Sequence, residues 1–137
     1  MNFNDIIPFI TAGNSTFTIY SSKVNKRYTY KIKVDKKNEN RFFVKVLFGP
    51  DNITDYRFLG WFYNDDFILL LSIKCCVDER DFRFTMLKYF LQFLSNKDKL
   101  PDTCSFYPSG RCGRCGRLLT TPESIERGLG PECAEYV

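Results

Sequence analysis

The chain of 137 residues contains no histidine. That absence excludes a Ser-His-Asp triad, a Cys-His nucleophile pair and any metal site held by imidazole. No apolar run reaches the length of a membrane span; the stretch from Phe67 to Ile73 is far too short. The opening residues, Met1-Asn2-Phe3-Asn4-Asp5, lack the basic start and apolar run of a secretion signal. Six cysteines in a secreted chain would suggest a disulfide framework, but without that signal the expectation is a cytosolic protein with reduced thiols. No glycine-rich loop is set up to cradle a phosphate. The paired acids Asp65-Asp66 and Asp78-Glu79 sit at turn signals, where such residues solvate and cap. The expectation is therefore a non-enzymatic protein with no catalytic residues, no small-molecule substrate and no membrane partner. A zinc enzyme would have only Glu132 near its metal as a general base.

What the chain does contain is a cysteine pattern at its end. Cys112-Gly113-Arg114-Cys115-Gly116-Arg117 is followed by Gly128-Leu129-Gly130-Pro131-Glu132-Cys133. Two thiols separated by two residues on a tight turn can face one metal, and glycine allows the left-handed backbone such a turn needs. The compact backbone also lets N–H groups point at the sulfurs. Pro131 suits the first position of a short helix, which puts Cys133 near a helix N-terminus, where a thiolate is favoured. The plainer alternatives are a redox pair, which would want a thioredoxin-like βαβ setting not seen here, or inert buried thiols. A closed structural zinc site takes four ligands. With no histidine, the expected fourth is Cys104, with Cys75 and Cys76 as further candidates. The expectation is one structural Zn2+ held by Cys104, Cys112, Cys115 and Cys133 in a zinc-knuckle or treble-clef-like element.

This stretch resembles the C-terminal domain of a family of small phage- and plasmid-borne proteins, a domain with no assigned function. The resemblance is carried by Arg111-Cys112-Gly113-Arg114-Cys115-Gly116-Arg117, Leu119-Thr120, Pro122-Glu123-Ser124-Ile125 and Gly128-Leu129-Gly130-Pro131-Glu132-Cys133-Ala134. The N-terminal part is also similar around residues 12–18 and at Tyr28-Thr29-Tyr30, so the likeness covers most of the chain. It implies a zinc-binding accessory protein of mobile elements, acting in the cytoplasm of a bacterial host, and supplies no reaction. The family pattern commonly carries a histidine four residues before the first knuckle cysteine. Here that position is Pro108, which adds weight to Cys104.

The rest of the chain reads as α+β. Alternating apolar residues predict an antiparallel β-meander of about five strands: one through Phe17 and Ile19, one with Tyr28, Tyr30, Ile32 and Val34 on one face, one with Phe42, Val44, Val46 and Phe48, one over 56–63 and a fully apolar one from Phe67 to Ile73. The predicted sheet core is Tyr30, Ile32, Val44, Val46 and Phe58. Residues 2–10 predict a short lead-in with one helical turn, limited by Pro8. Asp81 can cap a helix over 82–94 whose buried stripe is Met86, Tyr89, Phe90, Phe93 and Leu94. Residues 1–96 would then form one α+β domain, 97–103 a linker and 104–137 the zinc element.

Net charge is only +4, yet nine basic residues crowd between Lys23 and Lys45 against Asp35 and Glu39. Such a strip suits phosphate contacts through Lys31, Lys33 and Lys45, or is a solvated sheet face. Arg111, Arg114 and Arg117 could grip phosphates or an acidic protein surface, or pair with Glu123, Glu126 and Glu132. The expected partner is nucleic acid or a host nucleoprotein complex. The competing expectation is an inhibitor of a host defence complex, of the anti-CRISPR type, working by protein–protein binding.

Overall fold

A computed structural model of the chain describes residues 1–75, 77–96 and 99–136. Its centre is a meander of four long strands, β1 (Asn14–Ser21), β2 (Lys26–Asp35), β3 (Asn38–Leu47) and β4 (Tyr56–Tyr63), preceded by helix α1 (Phe3–Ile10). A two-residue β5 (Leu70–Leu71), helix α2 (Phe82–Asn96), strand β6 (Cys104–Pro108) and helix α3 (Pro122–Arg127) follow, and a 3-10 turn (Cys133–Tyr136) comes last. The sheet has six strands in the order β5-β4-β3-β2-β1-β6, and every neighbouring pair is antiparallel. No helix among the described residues is long and apolar enough to cross a membrane.

Period-two patterning decides which side of the sheet is covered. Phe17, Ile19, Tyr30, Ile32, Phe42, Val44, Val46 and Phe62 are buried and share one face with Phe106. Helices α1 and α2 cover that face: the Phe90 ring lies parallel to Phe106 at 5.6 Å, and Phe9 meets Phe106 edge-on at 6.1 Å. The Tyr30 hydroxyl donates to the Arg83 carbonyl at 2.6 Å, so the one polar atom of that buried ring is satisfied by the first turn of α2. Asp81 caps α2, its carboxylate accepting from the Arg83 N–H at 2.8 Å. Thr16, Thr18, Thr29, Lys31, Lys33, Phe43 and Lys45 point the other way.

The structure departs from the sequence expectations at five places. Helix α1 spans eight residues despite an internal Pro8, because burial of Ile6, Phe9 and Ile10 offsets the lost backbone bond. In α2 the buried residues are Phe84, Leu87, Phe90, Leu91 and Leu94, while Tyr89 is 63% exposed. Apolar residues occur almost all round this helix, so its period left the phase open. The run from Phe67 to Ile73 is not a full strand. Phe67 takes a left-handed φ of 56°, the Asp66 carboxylate accepts the Ile68 N–H, and Ile73 is 99% exposed.

The fourth departure is Phe58, which lies on the open face and is 38% exposed. Register slips between Val44 and Lys45: Val44 faces Gly60 and Lys45 faces Phe58. Leu59 is the extra residue of this bulge and takes the buried place. The fifth is β6. Residues 104–108, read as the start of the metal element, pair along β1 from Phe17↔Pro108 to Ser21↔Cys104.

Candidate metal centre

The element after β6 is built from short local devices. Gly110, with φ of 82°, turns the chain out of the sheet. The Cys112 N–H donates to the Arg117 carbonyl at 2.8 Å and the Gly116 N–H to the Cys112 carbonyl at 2.9 Å, which closes the knuckle. Thr121 caps α3 by accepting the Ser124 N–H, and Pro122 opens the helix. Gly128, with φ of 78°, ends it with its N–H on the Ser124 carbonyl. The chain then passes Gly130-Pro131 into the turn that begins at Cys133.

The two knuckle glycines do different jobs. Gly116 carries the left-handed backbone, with φ of 79°. Gly113 does not; it is needed for close approach, since a Cβ there would lie 2.6 Å from the Phe9 carbonyl oxygen and 2.8 Å from its ring. A Cβ on Gly128 would meet the same ring at 2.5 Å. Phe9 of α1 is therefore clasped by the metal element, and the Asn14 N–H donates to the Gly113 carbonyl at 2.7 Å to fix the join. Replacing Gly128 by alanine is expected to lower stability by about 1–3 kcal/mol, because it combines a strained φ with a clash on Phe9. A urea titration followed by circular dichroism reads the midpoint; an unchanged midpoint would mean that this contact relaxes freely.

Cys112, Cys115 and Cys133 come together with all three sulfurs within 4.8 Å of one another. Tetrahedral zinc with Zn–S bonds of 2.3 Å would set sulfurs about 3.8 Å apart, so small rotations of the thiols suffice. Cys112 and Cys133 are buried with Leu119 and Leu129 in a small second core, and Cys115 is exposed. Burial pushes the Cys112 thiol up, but the backbone N–H groups of Cys115, Gly130 and Arg114 outweigh it and carry it down to about 7. Two of those donors lie 3.4 Å (Gly130) and 3.5 Å (Arg114) from its sulfur. The Cys133 thiol is raised, by burial first; the Arg114 guanidinium, donating to it at 3.7 Å, opposes the rise, and the neighbouring thiols of Cys112 and Cys115 add to it. Three thiols this close resist ionising together unless a cation sits among them. The donor set thus fits a thiophilic metal ion.

Cys104 is not part of this cluster, contrary to the sequence expectation. It pairs with Ser21 at the far end of β1, whereas the knuckle joins β1 at Asn14. Seven extended residues separate those positions, about 23 Å at the usual strand rise. Its thiol packs toward the main core, and burial raises its pKa. Cys75 also packs against the main core. Cys76 lies outside the described residues. Among the described residues no fourth cysteine or carboxylate joins the three sulfurs. Beside them opens a cleft of about 600 Å³ that includes Arg114, Arg117, Thr120, Glu132 and Tyr136.

The sequence-predicted basic residues divide into two sets. Lys31, Lys33 and Lys45 share the open face of the sheet and line one cleft with Phe43 and Phe58. Arg111 borders that face through a neighbouring groove containing Asn14, Thr16, Thr18, Thr29 and Lys31. Arg114 and Arg117 belong to the metal cleft instead, with Arg114 lying 4.1 Å over the Tyr136 ring. None of the three arginines forms an ion pair with Glu123, Glu126 or Glu132 among the described residues. The sequence does not mark Phe43, Phe58 or Tyr56, whose ring centre lies 4.3 Å from the Lys31 ammonium, as companions of the lysines. Only the bulge at Leu59, which no local pattern announces, turns Phe58 to that side.

Residues 103–137 match a family of unknown function, DUF6011, and the match spans the end of the chain from just before β6. No curated protein and no solved structure matches the chain.

Proposed function

We propose that the chain is a non-enzymatic, zinc-stabilised nucleic-acid-binding protein. Cys112, Cys115 and Cys133 hold one zinc ion, since a thiolate set without imidazole suits zinc over harder cations. The uncovered sheet face receives the phosphate backbone. The observation that carries this reading is the register of the central strands: Lys31 stands directly opposite Lys45, and Lys33 is one step along the same face. Like charges directly opposite each other destabilise a sheet, so the arrangement makes sense when a polyanion neutralises it. Asp35 does not compensate, because Arg41 already holds its carboxylate at 2.6 Å. The resemblance of the C-terminal element adds the setting, an accessory protein of a phage or other mobile element.

Titrating the zinc-loaded protein into labelled nucleic acid at several salt concentrations tests the reading. Binding should fall with a log-log slope of about −0.7 to −0.9 per phosphate neutralised. Changing Lys31 and Lys45 together to glutamate should weaken binding at least tenfold for all base sequences alike, because phosphate contacts carry no base information. No binding at high micromolar protein and low salt would overturn the proposal and leave the inhibitor reading, a protein partner on the same surfaces.

A further inference from the structure

We propose that the open face takes single-stranded nucleic acid, with an unpaired base stacking on a phenylalanine ring in the cleft lined by Phe43 and Phe58. The proposal rests on the nucleic-acid reading above and narrows it to one strand state. The cleft measures about 470 Å³, and its walls combine Phe43, Phe58 and Val34 with Lys31, Lys33 and Lys45. The two rings pack against each other edge-on, with centroids 6.1 Å apart and 63° between their planes, so a base stacks on an open ring face and not between them. A flat aromatic group stacked on such a face makes a favoured contact. The lysines sit where the phosphates flanking such a base would run.

The platform is fixed before any ligand arrives. The Arg41 guanidinium lies 5.0 Å over the Phe43 ring and is itself tied to Asp35. Phe58 is set by the bulge at Leu59. A preset platform spares the ordering cost of binding.

The preference for a single strand follows from access. Inside a duplex each base has both faces covered by its neighbours and cannot offer one to a phenyl ring. An unpaired base can, and stacking of that kind tolerates any base. Continuity supports more than one nucleotide. Asn14 and Lys31 line both the phenylalanine cleft and the adjoining groove, of about 690 Å³, that leads to Arg111. A strand leaving the cleft therefore stays on polar and basic groups until it reaches the metal element.

Fluorescence anisotropy with the full zinc-loaded chain provides the test. The probes are single-stranded oligo(dT) and oligo(U) of about 12 nucleotides and a mixed-sequence duplex of the same length, all at one salt concentration. At least one single strand should bind roughly tenfold more tightly than the duplex, and the two single-strand arms tell DNA from RNA. Phe58→Ala should lower single-strand affinity about tenfold and duplex affinity by a much smaller factor. Phe58→Leu, which keeps the apolar bulk but has no π-face, should show the same loss. Equal or tighter duplex binding, or full single-strand affinity in Phe58→Leu, overturns this proposal while the broader reading survives. No binding by any probe overturns both.

Discussion

Stripping the metal with a chelator is expected to unfold residues 109–136 and leave the six-stranded sheet standing. The metal element has little else to hold it. Its own core is Cys112, Leu119, Leu129 and Cys133, and its helix has six residues. So small a core cannot offset the conformational entropy of nearly thirty ordered residues, at about 1–2 kcal/mol each for backbone alone. A metal ion held by the three thiolates couples its binding energy to the folding of this element. Hydrogen exchange should show fast exchange at the Cys112, Gly113 and Gly116 amides after chelation, while β2 and β3 remain protected. Metal analysis should find about one zinc per chain in the wild type and in Cys104→Ser, and almost none in Cys112→Ser, because Cys104 lies away from the cluster. Metal-free protein with protected knuckle amides would falsify the structural role of the ion.

A fragment ending at Asn96 should fail to give a stable monomer. Reading the sequence alone makes residues 1–96 a complete domain; the pairing of β6 with β1 argues otherwise. Removing β6 uncovers the outer edge of β1 and takes Phe106 out of its ring contacts with Phe9, Phe17 and Phe90. Losing a fully buried phenylalanine costs about 3–5 kcal/mol, and the partly buried Phe106 is worth a share of that. Whole domains of this size carry about 5–15 kcal/mol, so the loss consumes a large share, and the freed edge invites pairing with a second copy. Size-exclusion chromatography should show oligomers or aggregates for 1–96. A fragment ending at Ser109 retains β6 and should remain a β-rich monomer without metal. A monomeric 1–96 with the urea midpoint of the 1–109 fragment would mean that β6 contributes nothing to the sheet.

Strictly local constraints were the legible ones. Alternation in β2 is complete within ten residues, so its buried and basic faces could be read directly. The spacing of Cys112 and Cys115 confines both thiols to one turn, and the cluster forms as that spacing suggests. Cys133 follows the same logic through its Gly-Pro approach. Features that depend on distant partners were hidden. Cys104 looks like a ligand by elimination, yet its place is set by Ser21, more than eighty residues earlier in the chain. Strand β6 is five residues long and ends in proline, too short for periodicity to mark it. Phe58 turns outward because Leu59 is an extra residue opposite Val44 and Lys45, which only the pairing of two strands reveals. Gly113 has an ordinary backbone; its requirement comes from Phe9 across the fold.

Strand β6 also sets a timetable. Phe17 and its partner Pro108 are 91 residues apart, so during synthesis β1 leaves the ribosome long before the strand that covers it. At about 5–20 residues per second that interval is roughly 5–18 seconds. Throughout it the nascent sheet presents an open edge beside Phe17 and Ile19, with neither Phe106 nor the metal element in place. In the finished protein both sheet edges are short, two residues in β5 and five in β6, and this vulnerability has gone. Yield in a living cell should therefore depend on translation speed and chaperone supply more than on the equilibrium stability of the folded chain. Slowing the ribosome between codons 22 and 103 should lower soluble yield while leaving the unfolding midpoint of the recovered protein unchanged.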